Sequence, residues 1–191
     1  MKESGIIIFT ANHLSTIFKN YLKSKEIILA FDTFLKIDGI DGESSDHKHQ
    51  GWIELVSYYT GLHQKVSKTA SSAGGASAER VDFNSFTFTK LLDKASPKLA
   101  LACADGTHFD TILVELCRAG TEKMVFMRYQ LSNCLIQSFE TGGTQGEDLP
   151  SEDVEISFGK IEWRYTLQNR VGGGPAGNMV SGWNLQKNAK L

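Results

Sequence analysis

The sequence predicts a mainly β protein: a compact antiparallel β barrel or sandwich with one short flanking α-helix. Three observations predict it. Ile161, Trp163, Tyr165 and Leu167 alternate with Glu162, Arg164, Thr166 and Gln168, and Val125, Met127, Tyr129 and Leu131 repeat that period of two. Successive side chains of a strand point to opposite faces, so the pattern builds one buried and one wetter face. Only one segment carries helix punctuation at both ends. Ser96 is placed to cap it, Pro97 suits the first helical position, Leu99, Ala100, Ala102 and Cys103 supply apolar faces, and Gly106 ends it. The glycine-rich and polar stretches 67–79, 141–150 and 172–177 read as connections, because none separates two segments each able to form a core.

Taken in order, the chain opens with Lys2 and the cluster Ile6, Ile7, Ile8 and Phe9. Four apolar residues fall short of the roughly 7–15 of a signal-peptide core, so Sec export is not expected. Leu14, Ile17, Phe18, Tyr21 and Leu22 then recur at helical spacing beside Lys19, Lys23 and Lys25, an amphipathic pattern that also suits docking or a membrane surface. From Ala30 onward the chain reads as β structure. Phe83, Phe86, Phe88 and Leu91 change parity, which predicts a strand that is bulged or buried on both faces. Val154, Ile156 and Phe158 lie on even positions and Ile161 on an odd one, which predicts a β-bulge at Gly159–Lys160.

Composition excludes several functions. The chain has 191 residues, 41% hydrophobic and 22% charged, with a net charge of -2. It is long enough to bury its own core and lacks the clustered basic surface of a nucleic-acid binder. No apolar run approaches the ~20 residues of a membrane span. Cys103, Cys117 and Cys134 sit among apolar residues without CxxC spacing and read as reduced, buried thiols.

Candidate chemistry is weak throughout. His47 and His49, with Asp46, lack the further ligands a zinc site needs, so a solvated polar loop is the expected reading and no metal or cofactor is assigned. Gly172, Gly174 and Gly177 match GxGxxG in form, but Pro175 and the strand-like MVSGW follow where a phosphate-binding helix would have to begin. No GxSxG elbow or Walker loop is present. Cys103 and His108 read as a core thiol and a loop histidine. Glu147, Asp148, Glu152 and Asp153 read as a solvated acidic loop. An enzyme is not expected.

Four segments carry a resemblance: AFDTFLKIDGIDGES at 30–44, FTFTKLLDKASPKLALACADG from Phe86, FGKIEWRYT from Phe158 and GWNLQKNAK from Gly182. They resemble the haemolysin-coregulated protein (Hcp) family, the tube protein of type VI secretion systems. The resemblance covers nearly all of 30–191 and implies a tight β barrel with a flanking helix. It implies a homohexameric ring, stacked into a tube inside a contractile sheath and expelled beneath a valine-glycine-repeat spike protein. Effector proteins ride in the lumen. Localisation would then be cytoplasmic before assembly and extracellular after export. The family chain begins Met-Ala-Phe-Asp, and Leu29 stands where that methionine would be. Residues 1–28 are accordingly expected to be a leader translated from a misplaced start.

The resemblance also implies surfaces. The stretch 51–63 would be the second strand and part of the lumen wall, with Ser57 and Tyr59 on one parity, or Tyr58 and Thr60 on the other, facing cargo; Tyr59 departs from the small serine common in relatives. The loop 67–79, with Ser67, Thr69, Ser71, Ser72, Gly74, Gly75, Ser77 and Glu79, would make the contacts between stacked rings. The resemblance ends at Lys190, so an appended toxin domain is not expected. Two rival classes remain: a monomeric β-sandwich binding module, and a secreted metal-dependent enzyme using His47 and His49.

Overall fold

The computed structural model describes residues 31–66, 78–119, 123–146, 148–168 and 175–191. All of these belong to one compact unit, Phe31–Leu191. The leader reading of residues 1–28 lies outside the described residues.

Among the described residues, eleven strands and one helix make up this unit. In chain order they are β1 (Phe31–Ile37), β2 (Ile53–Leu55), β3 (Ser57–Tyr59), β4 (Leu62–Val66), β5 (Ala78–Phe83), β6 (Phe86–Leu91), α1 (Ser96–Asp105), β7 (His108–Arg118), β8 (Val125–Gly142), β9 (Ser151–Gln168), β10 (Pro175–Asn184) and β11 (Ala189–Lys190). Every pairing is antiparallel. The predicted class, mainly β with one helix, is the observed one.

The pairings run β2–β1–β7–β8–β9, and β9 continues to β6 and then β3. Only Val56 separates β3 from β2, and its N–H donates to Thr89 O. The segment read as one strand over 51–63 is therefore broken: β2 serves β1 and β3 serves β6. The result is a barrel-like wrap around a core that includes Leu35, Ile53, Phe86, Leu99, Ile112 and Ile156. Emptying one such aliphatic position to alanine typically costs about 2–5 kcal/mol.

Strand β9 does two jobs along one edge. Ser151–Ile156 pair with β6, whereas Lys160–Gln168 pair with β10. Its other edge pairs with β8 from Ser151 to Tyr165. The later part of β9, from Phe158 onward, and strand β10 therefore extend beyond the β6 pairing, partly covered by the β4–β5 hairpin, whose Phe83 stacks on Trp163 at 6.3 Å.

Two parity expectations are corrected. The change between Phe83 and Phe86 is neither a bulge nor two-sided burial. The chain leaves one sheet at Asn84–Ser85 and enters another, and Asn84 N–H donates to Gly61 O. The change between Phe158 and Ile161 needs no inserted residue, because Leu131 faces Ile161 and Cys134 faces Phe158 in one continuous register. Both strands switch face together where Asn133, with φ 55°, turns left-handed. The true register shift lies in β8, between Ile136 and Ser138.

Helix α1 begins and ends near the predicted residues, and Gly106 closes it with φ 70° and its N–H on Ala102 O. Ser96 is not its cap. The N-cap position, Ala95, has no side-chain cap; in the turn ahead of it Asp93 Oδ1 accepts the Ala95 N–H at 2.9 Å while Ser96 Oγ accepts the Asp93 N–H at 3.1 Å. The Ser96 hydroxyl turns inward instead and donates to Glu152 Oε2 at 2.7 Å.

Candidate functional site

Two buried polar clusters tie the elements together. In the first, Lys90 on β6 and Glu152 on β9 are direct cross-strand partners on the core-facing parity of their strands. Lys90 Nζ lies 2.6 Å from Glu152 Oε2, 2.8 Å from Asp93 Oδ1, 3.0 Å from Ser96 Oγ and 2.8 Å from Leu91 O. Glu152 is thus a buried strand residue and not part of a solvated acidic loop. Asp148 and Asp153 are exposed, and Glu147 lies outside the described residues.

The second cluster centres on His49. The loop 42–51 folds back on itself through Gly42 N–H to Gly51 O, Gly51 N–H to Ser44 O and Ser44 N–H to Trp52 O. This carries His49 inward, where its ring stacks on Phe34 at 4.2 Å and meets Trp52 edge-on at 4.9 Å. Nδ1 lies 2.8 Å from Asp46 Oδ1 and Nε2 lies 2.9 Å from Glu115 Oε2. The solvated-loop expectation for this residue is overturned: β1 and β7 supply it with a stacking ring and a buried carboxylate. His47 remains exposed, so the two histidines do not converge. Among the described residues no group of three His, Cys, Asp or Glu side chains is placed to hold a metal.

The thiols fall into place around these clusters. Cys117 and Cys134 are buried and Cys103 is partly so, all three unpaired. Burial pushes Cys117 up to about 11, with the charges of Glu115 and Asp46 adding to it, and burial pushes Cys134 up to about 12. Neither is a nucleophile near neutrality. Tyr129 is raised by burial and by its hydrogen bond with Tyr58. His108 sits on the exposed start of β7.

The surface is more informative. Ser57 and Tyr59 point outward from β3, while Tyr58 between them stacks inward on Phe86 at 5.7 Å. Tyr59 is 62% exposed and accepts a hydrogen bond from Asn84 Nδ2 at 3.3 Å. The loop residues Ser67, Thr69, Ser71, Ser72, Gly74, Gly75 and Ser77 lie outside the described residues; Glu79 belongs to β5.

Among the described residues, one end of the sheet is left uncovered. The face that holds Ile161 in the core continues along β9 to Tyr165 and Leu167, 42% and 40% exposed, and across to Met179 on β10, 65% exposed and paired with Tyr165. Strand β10 meets β11 only through Trp183 and Asn184. Among the described residues nothing pairs with the outer edge of Pro175–Ser181, and that stretch, PAGNMVS, contains no charge. Exposed edges are commonly blunted by lysine, proline, a bulge or a covering segment; here Pro175 and the register shift between Pro175 and Gly177 stand at the start of the edge, and Asn178–Ser181 continue it. Sequence alternation alone gave no sign of this, because an apolar strand face reads alike whether its own chain covers it or another does.

The described residues thus form a barrel-like β domain with a flanking helix and one sheet end that none of them covers. Residues 34–165, more than half of the chain, match the family described as "Type VI secretion system effector, Hcp", and the chain belongs to that family. Protein hcp1 of Pseudomonas aeruginosa is 32% identical over 163 residues, covering 85% of this chain and 99% of that protein. A solved structure described as that of a type six secretion system protein superposes with a TM-score of 0.80 at 32% identity, covering 85% of this chain and 100% of its own. Hcp1 from Salmonella typhimurium gives 0.69 at 28% identity, with 85% and 100% covered.

Proposed function

We infer that this chain is a subunit of the type VI secretion tube, joining copies of itself head to tail in a homohexameric ring whose copies stack inside the contractile sheath beneath the valine-glycine-repeat spike protein. The observation that carries the reading is the uncapped sheet end, where the uncharged β10 edge borders Tyr165, Leu167 and Met179. A head-to-tail contact uses two different patches and closes when the rotation per copy divides a full turn. Phe31 on β1 and Val56 between β2 and β3, both more than half exposed, offer apolar surface on strands remote from β10 in the pairing order. The role is structural, with the protein assembled in the cytoplasm and then expelled through the system.

Ser57 and Tyr59 form the cargo-facing wall of the lumen, and the 67–79 loop makes the contacts between rings; both assignments rest on the family likeness. The test of assembly is light scattering on the full chain and on Met179→Asp. The wild type is expected at about six protomer masses and the variant at a lower mass with unchanged circular dichroism, because a charge on an apolar contact has no partner there. A wild-type monomer at the same concentration leaves the fold standing and removes the tube reading in favour of a monomeric binding module.

A further inference from the structure

Four exposed apolar side chains meet away from the β10 end. A surface groove of about 380 Å³ is walled by Val56, Leu91, Leu92 and Leu149, and its rim carries Glu43 and Glu54. Val56 N–H on Thr89 O and Leu92 N–H on Pro150 O hold these walls together. An apolar patch with a polar rim is the kind of surface that meets another molecule.

The rim is unbalanced. Glu54 accepts a hydrogen bond from Ser44 Oγ at 2.7 Å, and Glu43 one from the Lys94 N–H at 3.0 Å. Neither carboxylate has a cation at ion-pair distance among the described residues. Asp93 in the same wall is balanced by Lys90 at 2.8 Å. The groove therefore presents apolar surface edged by two uncompensated negative charges.

The opposite pattern lies at the β10–β11 end. Met179, Val180 and Leu191 are each half exposed or more there, with Leu191 N–H held on Gly182 O. Lys187, in the turn between the strands, and Lys190 on β11 are exposed and pair with no carboxylate among the described residues. Strands β10 and β11 pair only with each other and with β9, and none of their residues lines the groove. Within one copy these lysines do not serve the groove.

We propose that the groove of one copy receives the β10–β11 rim of the next, with Glu43 and Glu54 facing Lys187 and Lys190. The proposal rests on the reading of the chain as a ring subunit and identifies the second patch of its head-to-tail contact. Groove against groove, or rim against rim, would set like charges together. Only the head-to-tail order matches both patches, and that is the order that closes into a ring.

The test is light scattering on the full chain and on two charge-reversed chains, Glu43→Lys/Glu54→Lys and Lys187→Glu/Lys190→Glu, with circular dichroism to check folding. The wild type is expected at about six protomer masses and each reversed chain alone at about one, because its two patches then carry like charge. An equimolar mixture of the reversed chains is expected to regain about six, since each reversed patch finds its opposite in the other chain and the copies alternate round the ring. The wild type is also expected to need a several-fold higher concentration to assemble in about 1 M NaCl than in about 0.1 M, because the screening length falls from ~10 Å to ~3 Å. Reversed chains that assemble alone as the wild type does, or a mixture that stays monomeric, overturn the groove assignment while the ring stands. A monomeric wild type overturns both. If the groove variant does not fold, the salt dependence and the rim variant decide, since the Lys187 and Lys190 side chains make no hydrogen bond or ion pair among the described residues.

Discussion

Replacing Lys90 with methionine isolates the contribution of the buried pair that joins β6, β9 and the start of α1. The two side chains are 0% and 1% exposed, so neither end of the pair is solvated. In Lys90→Met the Glu152 carboxylate keeps only the Ser96 hydroxyl, while Asp93, 13% exposed, keeps the Ala95 N–H. Removing one partner of a buried ion pair costs about 3–5 kcal/mol, most of it the penalty of the stranded charge. For a domain of this size that corresponds to a fall in Tm of roughly 6–20 °C. The double variant Lys90→Met/Glu152→Leu removes both charges and is expected to recover most of the loss, because an apolar pair of similar volume costs no desolvation. Urea unfolding followed by circular dichroism and fluorescence measures both. A single variant within about 1 kcal/mol of wild type, or a double variant less stable than the single, refutes the reasoning.

Three further outcomes follow from the same geometry. A Cβ at Gly42 would lie 2.4 Å from Trp52 O and 2.5 Å from Ile53 Cα, so Gly42→Ala is expected to force the loop off β2 and lower the urea midpoint while circular dichroism stays β-rich. Burial works against the Asp46 carboxylate, but hydrogen bonds from His49, Lys123 and the Lys48 N–H, with the Lys123 charge, hold it well below the usual range. A depressed carboxyl stabilises the fold above its unfolded value of about 3.9 and loses that contribution as pH falls, so Asp46→Asn should flatten the acid limb of stability against pH. Tyr59→Asp is expected to reduce the cargo that co-purifies without changing the assembled mass; unchanged co-purification counts against Tyr59 as a lumen residue.

Much of the fold was legible because its signals are local. Val125–Leu131 and Ile161–Leu167 alternate because neighbouring side chains point oppositely, and Pro97 and Gly106 bound the helix through their own backbone preferences. What was missed depends on distant partners. Ser96 has the chemistry of a cap, yet its hydroxyl serves a carboxylate 56 residues away. His49 lies in a run that reads as solvated, and only Phe34 and Glu115 make it a core residue. One signal was available in the sequence. Lys90 shares the parity of Phe86 and Phe88, and Glu152 that of Val154 and Ile156, so opposite charges occupied core positions on two strands and already implied a buried pair. The β10 edge, which none of the described residues pairs, had no such signal, since its exposure depends on segments distant in sequence.

The most direct test of assembly is negative-stain electron microscopy of the full chain, with light scattering on the same sample. Rings with a central hole at about six protomer masses are the predicted result. Compact particles of a single protomer mass in that same sample would contradict the claim that the β10 end is a subunit contact.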